Sequence, residues 1–207
     1  MKKFIVATKN SGKLNEIKEI LKDTEYDVVS MIDIGYNDEI EENGATFEEN
    51  AMIKANALHQ FCGQTVLADD SGLEVDALGG APGIYTARFA GEGATDLQKI
   101  EKLLDLLKDV PFENRKARFV CSIALILDNG EKFVVKETCE GYINERLEGS
   151  NGFGYDPIFY VAQYKKTMAQ LDVEIKNSIS HRGKALKKML QFVYGRINAE
   201  FKLGIEN

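Results

Sequence analysis

The first third of the chain alternates short apolar runs with apolar residues at helical spacing. The apolar run at 4–7 predicts a buried strand, and a polar turn at 8–13 follows it. Residues 26–31 are typical of a second strand, and the acidic stretch 33–43 indicates a loop. Between the two strands, a helix is predicted by the spacing of Leu14, Ile17, Ile20 and Leu21.

Two helix starts and one more strand are predicted further along. Thr46, with Glu49 three residues later, has the pattern of a capping box, and its helix is predicted to run to about His59. Residues 66–68 predict a short buried strand with two aspartates directly after its end. A second capping pattern at 95–98 opens a helix with one apolar face, formed by Leu103, Leu104 and Leu107.

The second half of the chain adds a hairpin to this pattern. Residues 117–127 and 132–138 predict two long strands, and the Asn-Gly pair between them is a strong hairpin signal. A strand at 158–161 and an amphipathic helix around 185–193 follow. Strand–helix units joined to a hairpin predict an α/β fold on a mixed sheet. Because no linker or repeat interrupts the sequence, we expect one domain, residues 1–207.

Composition and charge narrow the classes of function. The 207 residues are 44% hydrophobic, which is enough for a substantial core and excludes wholesale disorder. A formal net charge of −7 argues against a nucleic-acid binder that relies on a broad basic surface. A single triphosphate can still be held by a few local Lys and Arg side chains with Mg²⁺, and such a site needs carboxylates.

The cysteines and the hydropathy indicate a protein of the reducing cytoplasm. Cys62, Cys121 and Cys139 have no metal-ligand spacing, so we interpret them as free, mostly buried thiols. The apolar run near the start has four residues and is too short for a signal peptide. No stretch approaches membrane-spanning length, so we expect no membrane partner.

Two segments suggest phosphate and metal binding. The turn at 8–13 combines a helix N-terminus with Gly12 and Lys13, which suits a phosphate, although it is not a P-loop and a plain turn is the alternative. Carboxylates that follow a strand can hold Mg²⁺ and accept a proton from water, with a polar turn as the alternative. The acidic candidates are Glu41, Glu42, Glu48, Glu49, Asp69 and Asp70.

Two further segments suggest base recognition. The turn at 152–157 has two glycines, which let a ligand approach the backbone, and two aromatic rings that can stack on a base. Lys176, His181 and Arg182 place three nitrogen-bearing side chains close to a predicted helix start, with a solvated basic turn as the alternative. Together the four segments provide the groups that nucleotide hydrolysis requires.

These motifs carry a family resemblance. The sequence resembles the inosine/xanthosine triphosphate pyrophosphatases, which hydrolyse non-standard purine nucleoside triphosphates. The sequence departs from the family pattern at three places: Lys9 in place of Gly, Leu147-Glu148 in place of a Pro-Arg type of sequence before the turn at 152–157, and Gln170 in place of Glu. None of these changes removes a group that the chemistry needs. The matching stretches occur in the family's order and are 7–13, 42–51, 68–73, 79–88, 152–159 and 179–182.

The resemblance implies a role for each motif. Glu42 and Asp70 hold Mg²⁺, with Asp70 also the proton acceptor, and Ser71 contacts the substrate. The triphosphate is bound by Thr8, Lys9, Asn10, Ser11, Gly12 and Lys13. The base pocket is formed by Phe153, Gly154, Tyr155, Asp156, Lys176, His181 and Arg182. The resemblance also implies an elongated α/β fold, two lobes on a mixed sheet with a nucleotide-binding cleft between them, and a homodimer.

The implied reaction releases a nucleoside monophosphate and pyrophosphate from ITP, dITP or XTP. Donors such as Lys176, His181 and Arg182 fit the 6-oxo group of hypoxanthine and xanthine and disfavour the 6-amino group of adenine. We identify no residue in the sequence that would exclude guanine. Two alternatives remain open at this point: a related pyrophosphatase for modified pyrimidine nucleotides, and a regulator that binds ITP without turnover.

Overall fold

The chain folds around one mixed β-sheet. The computed structural model describes residues 2–203, with side chains as far as residue 195. Its seven-stranded sheet has the order β2-β1-β3-β4-β5-β6-β7, with β1 parallel to β2 and β3 and the later pairs antiparallel. The predicted mixed α/β sheet is therefore confirmed. The strands are β1 (Lys2–Val6), β2 (Tyr26–Ser30), β3 (Val66–Val75), β4 (Lys116–Ile126), β5 (Lys132–Ile143), β6 (Phe159–Val161) and β7 (Lys166–Thr167).

The helices begin where their capping residues predict. The side chains of Asn10, Thr46 and Thr95 each accept a backbone N–H of the first helical turn. The capping box at Thr95 is complete, whereas at Thr46 the carboxylate of Glu49 accepts instead from the N–H of Ala45, so the second half of that predicted box is wrong. The helices are α1 (Ser11–Leu21), α2 (Phe47–Cys62), α3 (Asp96–Leu106), α4 (Val173–Ile179) and α5 (His181–Leu203).

Strand β3 is longer than its sequence predicts. The apolar run indicates an end near Ala68, but the strand continues to Val75 and pairs with β4 along its whole length. Asp69 and Asp70 therefore lie inside a buried strand, opposite Ile123 and Ser122, rather than in a turn that leaves the sheet. The prediction failed because carboxylates normally end a buried strand, whereas here cations from other elements compensate them.

The apolar core is divided where this polar segment crosses the sheet. Leu73 and Val75 pack at one end of β3 with α3 and the β5–β6 region, and residues 66–68 pack at the other end with α1, α2 and α5. A cleft of about 350 Å³ opens between these two halves, with Asp70, Ser71 and Gly72 in its wall. The arrangement agrees with the cleft between two halves that the family resemblance implies.

Two further expectations concern cysteines and membranes. All three cysteines are free, Cys121 and Cys139 are buried, and Cys62 is partly exposed. Within residues 2–203 no helix combines the length and the hydropathy that a membrane crossing requires.

Gly72 sets the contact between β3 and the segment that covers the cleft. A Cβ atom at this position would meet the Thr86 hydroxyl and lie 2.6 Å from the Gly83 carbonyl oxygen. We expect Gly72→Ala to lower the free energy of unfolding by about 1–3 kcal/mol, because backbone must move to admit the methyl group. Urea denaturation followed by circular dichroism measures the change.

The matched control is Gly195→Ala in α5, where a Cβ atom would meet nothing within 4 Å among the described residues outside the adjoining helix backbone. We expect that variant to be as stable as the parent protein or slightly more stable, because alanine favours a helix over glycine by roughly 0.5–1 kcal/mol. Equal stability of the two variants would contradict the close packing at Gly72.

Candidate active site

Successive side chains of β3 point to alternate faces of the sheet, so its two aspartates lie on opposite faces. Asp69 points toward α1 and α5, where its carboxylate meets Lys13 at 2.7 Å and Arg182 at 2.8 Å. Asp70 points toward α2, where its Oδ1 lies 2.8 Å from the Nζ of Lys54. Adjacent residues of a strand face opposite sides, so one short segment places a carboxylate on each side of the sheet.

Both carboxylate oxygens of Asp69 have hydrogen-bond and ion-pair partners. In addition to its two cations, its Oδ1 accepts from the Ser71 hydroxyl at 2.7 Å, and its Oδ2 accepts from the Cys121 thiol at 3.2 Å. Burial pushes the pKa of Asp69 upward, but the charges of Arg182 and Lys13 outweigh it and hold the pKa well below the usual range. Asp69 is therefore a permanent carboxylate that fixes its neighbours and has no oxygen left for a substrate.

Asp70 differs because one of its oxygens has no partner. Lys54 Nζ bridges Oδ1 of Asp70 and Oε2 of Glu42, at 2.8 and 2.9 Å. The second oxygen of Asp70, Oδ2, is buried, and among the residues that the structure describes it has no hydrogen-bond partner. Burial raises the pKa of Asp70 to about 6 despite the opposing charges of Lys54 and Lys13. Burial also acts upward on the pKa of Glu42, but Lys54 outweighs it and lowers that pKa.

The pair of Glu42 and Asp70 fits a magnesium ion that shares its ligands with a phosphate. Among residues 2–203, no three acidic, histidine or cysteine side chains converge into a complete metal cage. Mg²⁺ does not require one, because it is usually held by one or two carboxylates with waters and substrate phosphates completing its shell. The unpartnered oxygen of Asp70 is the donor that such a shell needs. We find that these residues fit the ion.

A second ion-pair cluster lies at the other end of the cleft. Lys176 Nζ meets Asp156 at 2.5 Å and Glu16 at 2.6 Å. Arg182 binds the other oxygen of Glu16 and also donates to Ser71 at 2.9 Å. Burial lowers the pKa of Lys176, but Asp156 and Glu16 outweigh it and raise that pKa, so the lysine stays charged. Both cations are buried, which excludes the alternative of a solvated basic turn.

His181 is buried as a neutral ring. Its imidazole stacks on Phe119 with ring centroids 4.8 Å apart, and its Nδ1 has no hydrogen-bond partner. Burial, with the nearby charge of Arg182, lowers the pKa of His181 well below its usual range. The histidine therefore brings an uncharged polar nitrogen into a cleft wall otherwise rich in ion pairs.

The two aromatic residues of the glycine-rich turn have different surroundings. Tyr155 is buried in the apolar core, whereas the Phe153 ring is partly exposed and lies 5.4 Å from Lys176 Nζ and 5.7 Å from the Arg182 guanidinium. Phe153 also touches α1, where a Cβ atom at Gly12 would lie 2.7 Å from the ring. Of the two, Phe153 is the ring placed to stack on a base.

The turn at 8–13, which is predicted to bind the triphosphate, adjoins the carboxylates of β3. Strand β1 ends beside Leu67, so the following turn lies next to the polar part of β3. The cleft is lined by Thr8, Lys9, Asn10 and Lys13, while Ser11 and Gly12 do not line it. Asn10 accepts the backbone N–H of Lys13, which removes one of the free N–H groups of the helix start. Gly154, Tyr155 and Asp156 also line the cleft.

Sequence reasoning missed two residues of this site. Lys54 lies among Ala51, Ala55 and Leu58 on the buried face of α2, and a lysine on an apolar helical face is a signal that was available. Glu16 gave no such signal, because an acidic residue on α1 next to apolar positions is ordinary. Its role depends on partners 160 and 166 residues away.

Comparison with known proteins gives the family. Residues 4–192 match the model of the Ham1 family. The chain belongs to this family. A relative named dITP/XTP pyrophosphatase from Bacillus cereus is 52% identical over 191 residues, which cover 91% of this chain and 93% of the relative. Another of that name, from Desulforamulus reducens, is 53% identical and covers 92% of this chain and 95% of the relative.

Solved structures agree with this membership and with the fold. A Ham1 protein from Coxiella burnetii superimposes with a TM-score of 0.84 at 42% identity, over 94% of this chain and 100% of that one. The Ham1 protein of Staphylococcus aureus gives 0.83 at 46% identity with the same coverage. The sequence resemblance is thereby confirmed at the level of family and fold.

The raised pKa of Asp70 predicts a particular pH dependence of stability without metal. A carboxyl of an unfolded chain has a pKa near 3.9, so between about pH 4 and pH 6 the folded state binds more protons than the unfolded state. Stability contributed by this group therefore falls as pH rises through that window. Asparagine does not titrate, so Asp70→Asn removes this fall. The free energy of unfolding of the variant minus that of the parent should therefore rise by about 2–3 kcal/mol between pH 4 and pH 7.

Denaturant unfolding in chelator at both pH values measures this difference. The control is Asp109→Asn, which makes the same substitution at an exposed carboxyl that does not line the cleft. If the difference in free energy of unfolding between Asp70→Asn and the parent stays constant from pH 4 to pH 7, the raised pKa of Asp70 is wrong.

Proposed function

We propose that the protein hydrolyses the non-standard purine nucleoside triphosphates ITP, dITP and XTP to the monophosphate and pyrophosphate, and so removes them from the nucleotide pool. The observation that carries the proposal is the free, buried oxygen of Asp70 beside Glu42 and Lys54. It lies in one cleft with the cations Lys176 and Arg182. The names of the relatives from Bacillus cereus and Desulforamulus reducens support the same activity.

Asp70 suits the role of proton acceptor. A general base works best when its pKa is near the working pH, and in the protein without metal burial raises the pKa of Asp70 to about 6. Asp70 can accept a proton from the water molecule that attacks phosphorus. Glu42 and Asp70 would hold Mg²⁺, which would supply positive charge that stabilises the phosphate oxygens.

The phosphate end of the cleft determines which bond breaks. Lys13 is held by Asp69 and lines the cleft beside the turn that contains Thr8, Lys9 and Asn10. In this arrangement the turn and Lys13 bind the leaving pyrophosphate, and the α-phosphorus lies nearest Glu42 and Asp70. Positive groups already in place stabilise the charge that develops on the leaving group.

The base end favours a 6-oxo purine. Lys176 and Arg182 are charged donors fixed by carboxylates, and the Phe153 ring lies beside them. A 6-oxo group accepts from such donors, whereas the 6-amino group of adenine leaves a buried donor unpaired. Ser71, Gly154, Asp156 and the neutral His181 complete this end of the cleft.

The products test the proposal. We expect dITP, ITP and XTP with Mg²⁺ to give monophosphate and pyrophosphate in equal amounts, with no diphosphate, when both phosphate species are followed without any added pyrophosphatase. ATP should have a kcat/KM lower by roughly 10²-fold or more, because its 6-amino group opposes donors.

Asp70→Asn tests the assignment of Asp70 as the general base. Its kcat should fall by at least ~10²-fold, the lower range for lost acid–base catalysis, while the protein stays folded. Early release of orthophosphate and IDP would refute the cleavage position. Binding of ITP without turnover would favour the sensing alternative, and preferential turnover of modified pyrimidine nucleotides would favour the related pyrophosphatase.

We also propose a homodimer that acts in the cytoplasm. The family resemblance and large apolar side chains at the surface support the dimer, for example Ile32 and Phe61, which are 53% and 55% exposed. The three free cysteines suit a reducing compartment. Sedimentation equilibrium should give about twice the chain mass of 23.1 kDa, and a single species at the chain mass at micromolar concentration would refute the dimer.

A further inference from the structure

The segment 79–88, which belongs to the family resemblance, provides none of the groups assigned to the proposed reaction. Residues 79–88 end in a 3-10 helix, Gly83–Arg88, that packs against β3 directly after Asp70 and Ser71. The Thr86 hydroxyl donates to the Gly83 carbonyl at 2.5 Å and accepts the backbone N–H of Leu73 at 2.9 Å. The helix is thereby fixed to the strand that contains the candidate base, and Arg88 at its end lines the cleft.

The 3-10 helix and the candidate metal ligands lie on the same face of the sheet. Gly72 is two residues after Asp70 in β3, so its missing side chain would point the same way. A Cβ atom there would contact Phe47 of α2 and both Gly83 and Thr86 of the 3-10 helix. The segment that ends in Arg88 therefore covers the side of β3 on which Asp70 meets Lys54.

The charges on the cleft floor do not by themselves favour a polyanion. Lys13, Lys54, Lys176 and Arg182 are each paired with carboxylates, and the five carboxylates outnumber these four cations by one. A bound triphosphate adds several negative charges to a partly dehydrated space, where repulsion is strong. Further positive charge must come from the metal ion and from cations that no carboxylate neutralises.

Arg88 is such a cation. Across the part of the chain that the structure describes, its guanidinium has no carboxylate or carbonyl partner, and it lies over the Tyr85 ring, 5.0 Å from the ring centroid. Lys99, another cation of the cleft wall, is paired with Asp96 at 2.8 Å. Lys9 donates to the Asn37 carbonyl and already belongs to the predicted triphosphate segment.

We propose that Arg88 is a further substrate-binding residue, whose guanidinium leaves the Tyr85 ring or pivots on it to bind the triphosphate. The assignment rests on the proposed function for the identity of the substrate. Phosphate is the chemical partner because it is the anionic part of a purine nucleotide, and a planar guanidinium binds two phosphate oxygens at once. Its exposed position lets the side chain move without disturbing the core.

Arg88→Ala, Arg88→Lys and the parent protein test this assignment. We expect Arg88→Ala to raise the KM for dITP and the dissociation constant for inorganic tripolyphosphate, measured by calorimetry with Mg²⁺, each by ~10-fold or more, the range for a lost charge-assisted hydrogen bond. Arg88→Lys should recover part of both losses, because it keeps the charge but not the two-oxygen geometry.

The control is Arg146→Ala, which removes an arginine that is 82% exposed and paired with Glu148. It should leave both constants unchanged. If tripolyphosphate and dITP bind to Arg88→Ala within twofold of the parent protein, the assignment is wrong. If the parent protein does not turn over dITP, the proposed function fails, and tripolyphosphate binding still decides the role of Arg88.

Discussion

The structure depends on burying two consecutive carboxylates in the middle of a strand. An unpaired charge inside a protein costs several kcal/mol, so Asp69 and Asp70 can remain in β3 only if cations reach both faces of the sheet. Lys13 and Arg182 reach one face from α1 and α5, and Lys54 reaches the other from α2. Each of these three helices therefore packs on the apolar core and also brings a cation to the polar part of β3.

Hydrogen bonds and cations compensate the buried charges of Asp69 and Asp70 to different extents. This difference distinguishes a structural carboxylate from one that is suited to chemistry. Asp69 has partners on both oxygens and a strongly lowered pKa, so it acts as a fixed charge. Asp70 keeps a buried oxygen free and has a raised pKa, which is a cost to the folded protein without ligand. A stability cost retained at one residue, next to a fully compensated neighbour, is the pattern expected of a functional site.

The sequence predicted the local elements of this site better than its long-range contacts. The turn between β1 and α1, the helix starts at Thr46 and Thr95, and the Asn-Gly hairpin depend on neighbouring residues, and the structure has them. The continuation of β3 through Asp69 and Asp70 depends on Arg182, which is 113 residues from Asp69 in sequence. No window of local pattern contains that partner, so the strand was predicted to end too early.

The ion pairs also join the two ends of the cleft. Asp69 binds Lys13 at the proposed phosphate end and Arg182 at the proposed base end, and Glu16 binds both Arg182 and Lys176. Each cation is therefore oriented by a carboxylate that it shares with another cation. A base that displaces or polarises Arg182 acts on the carboxylate that also fixes Lys13. In the proposed reaction, base recognition and phosphate positioning would therefore depend on one electrostatic network, in which neither is set independently of the other.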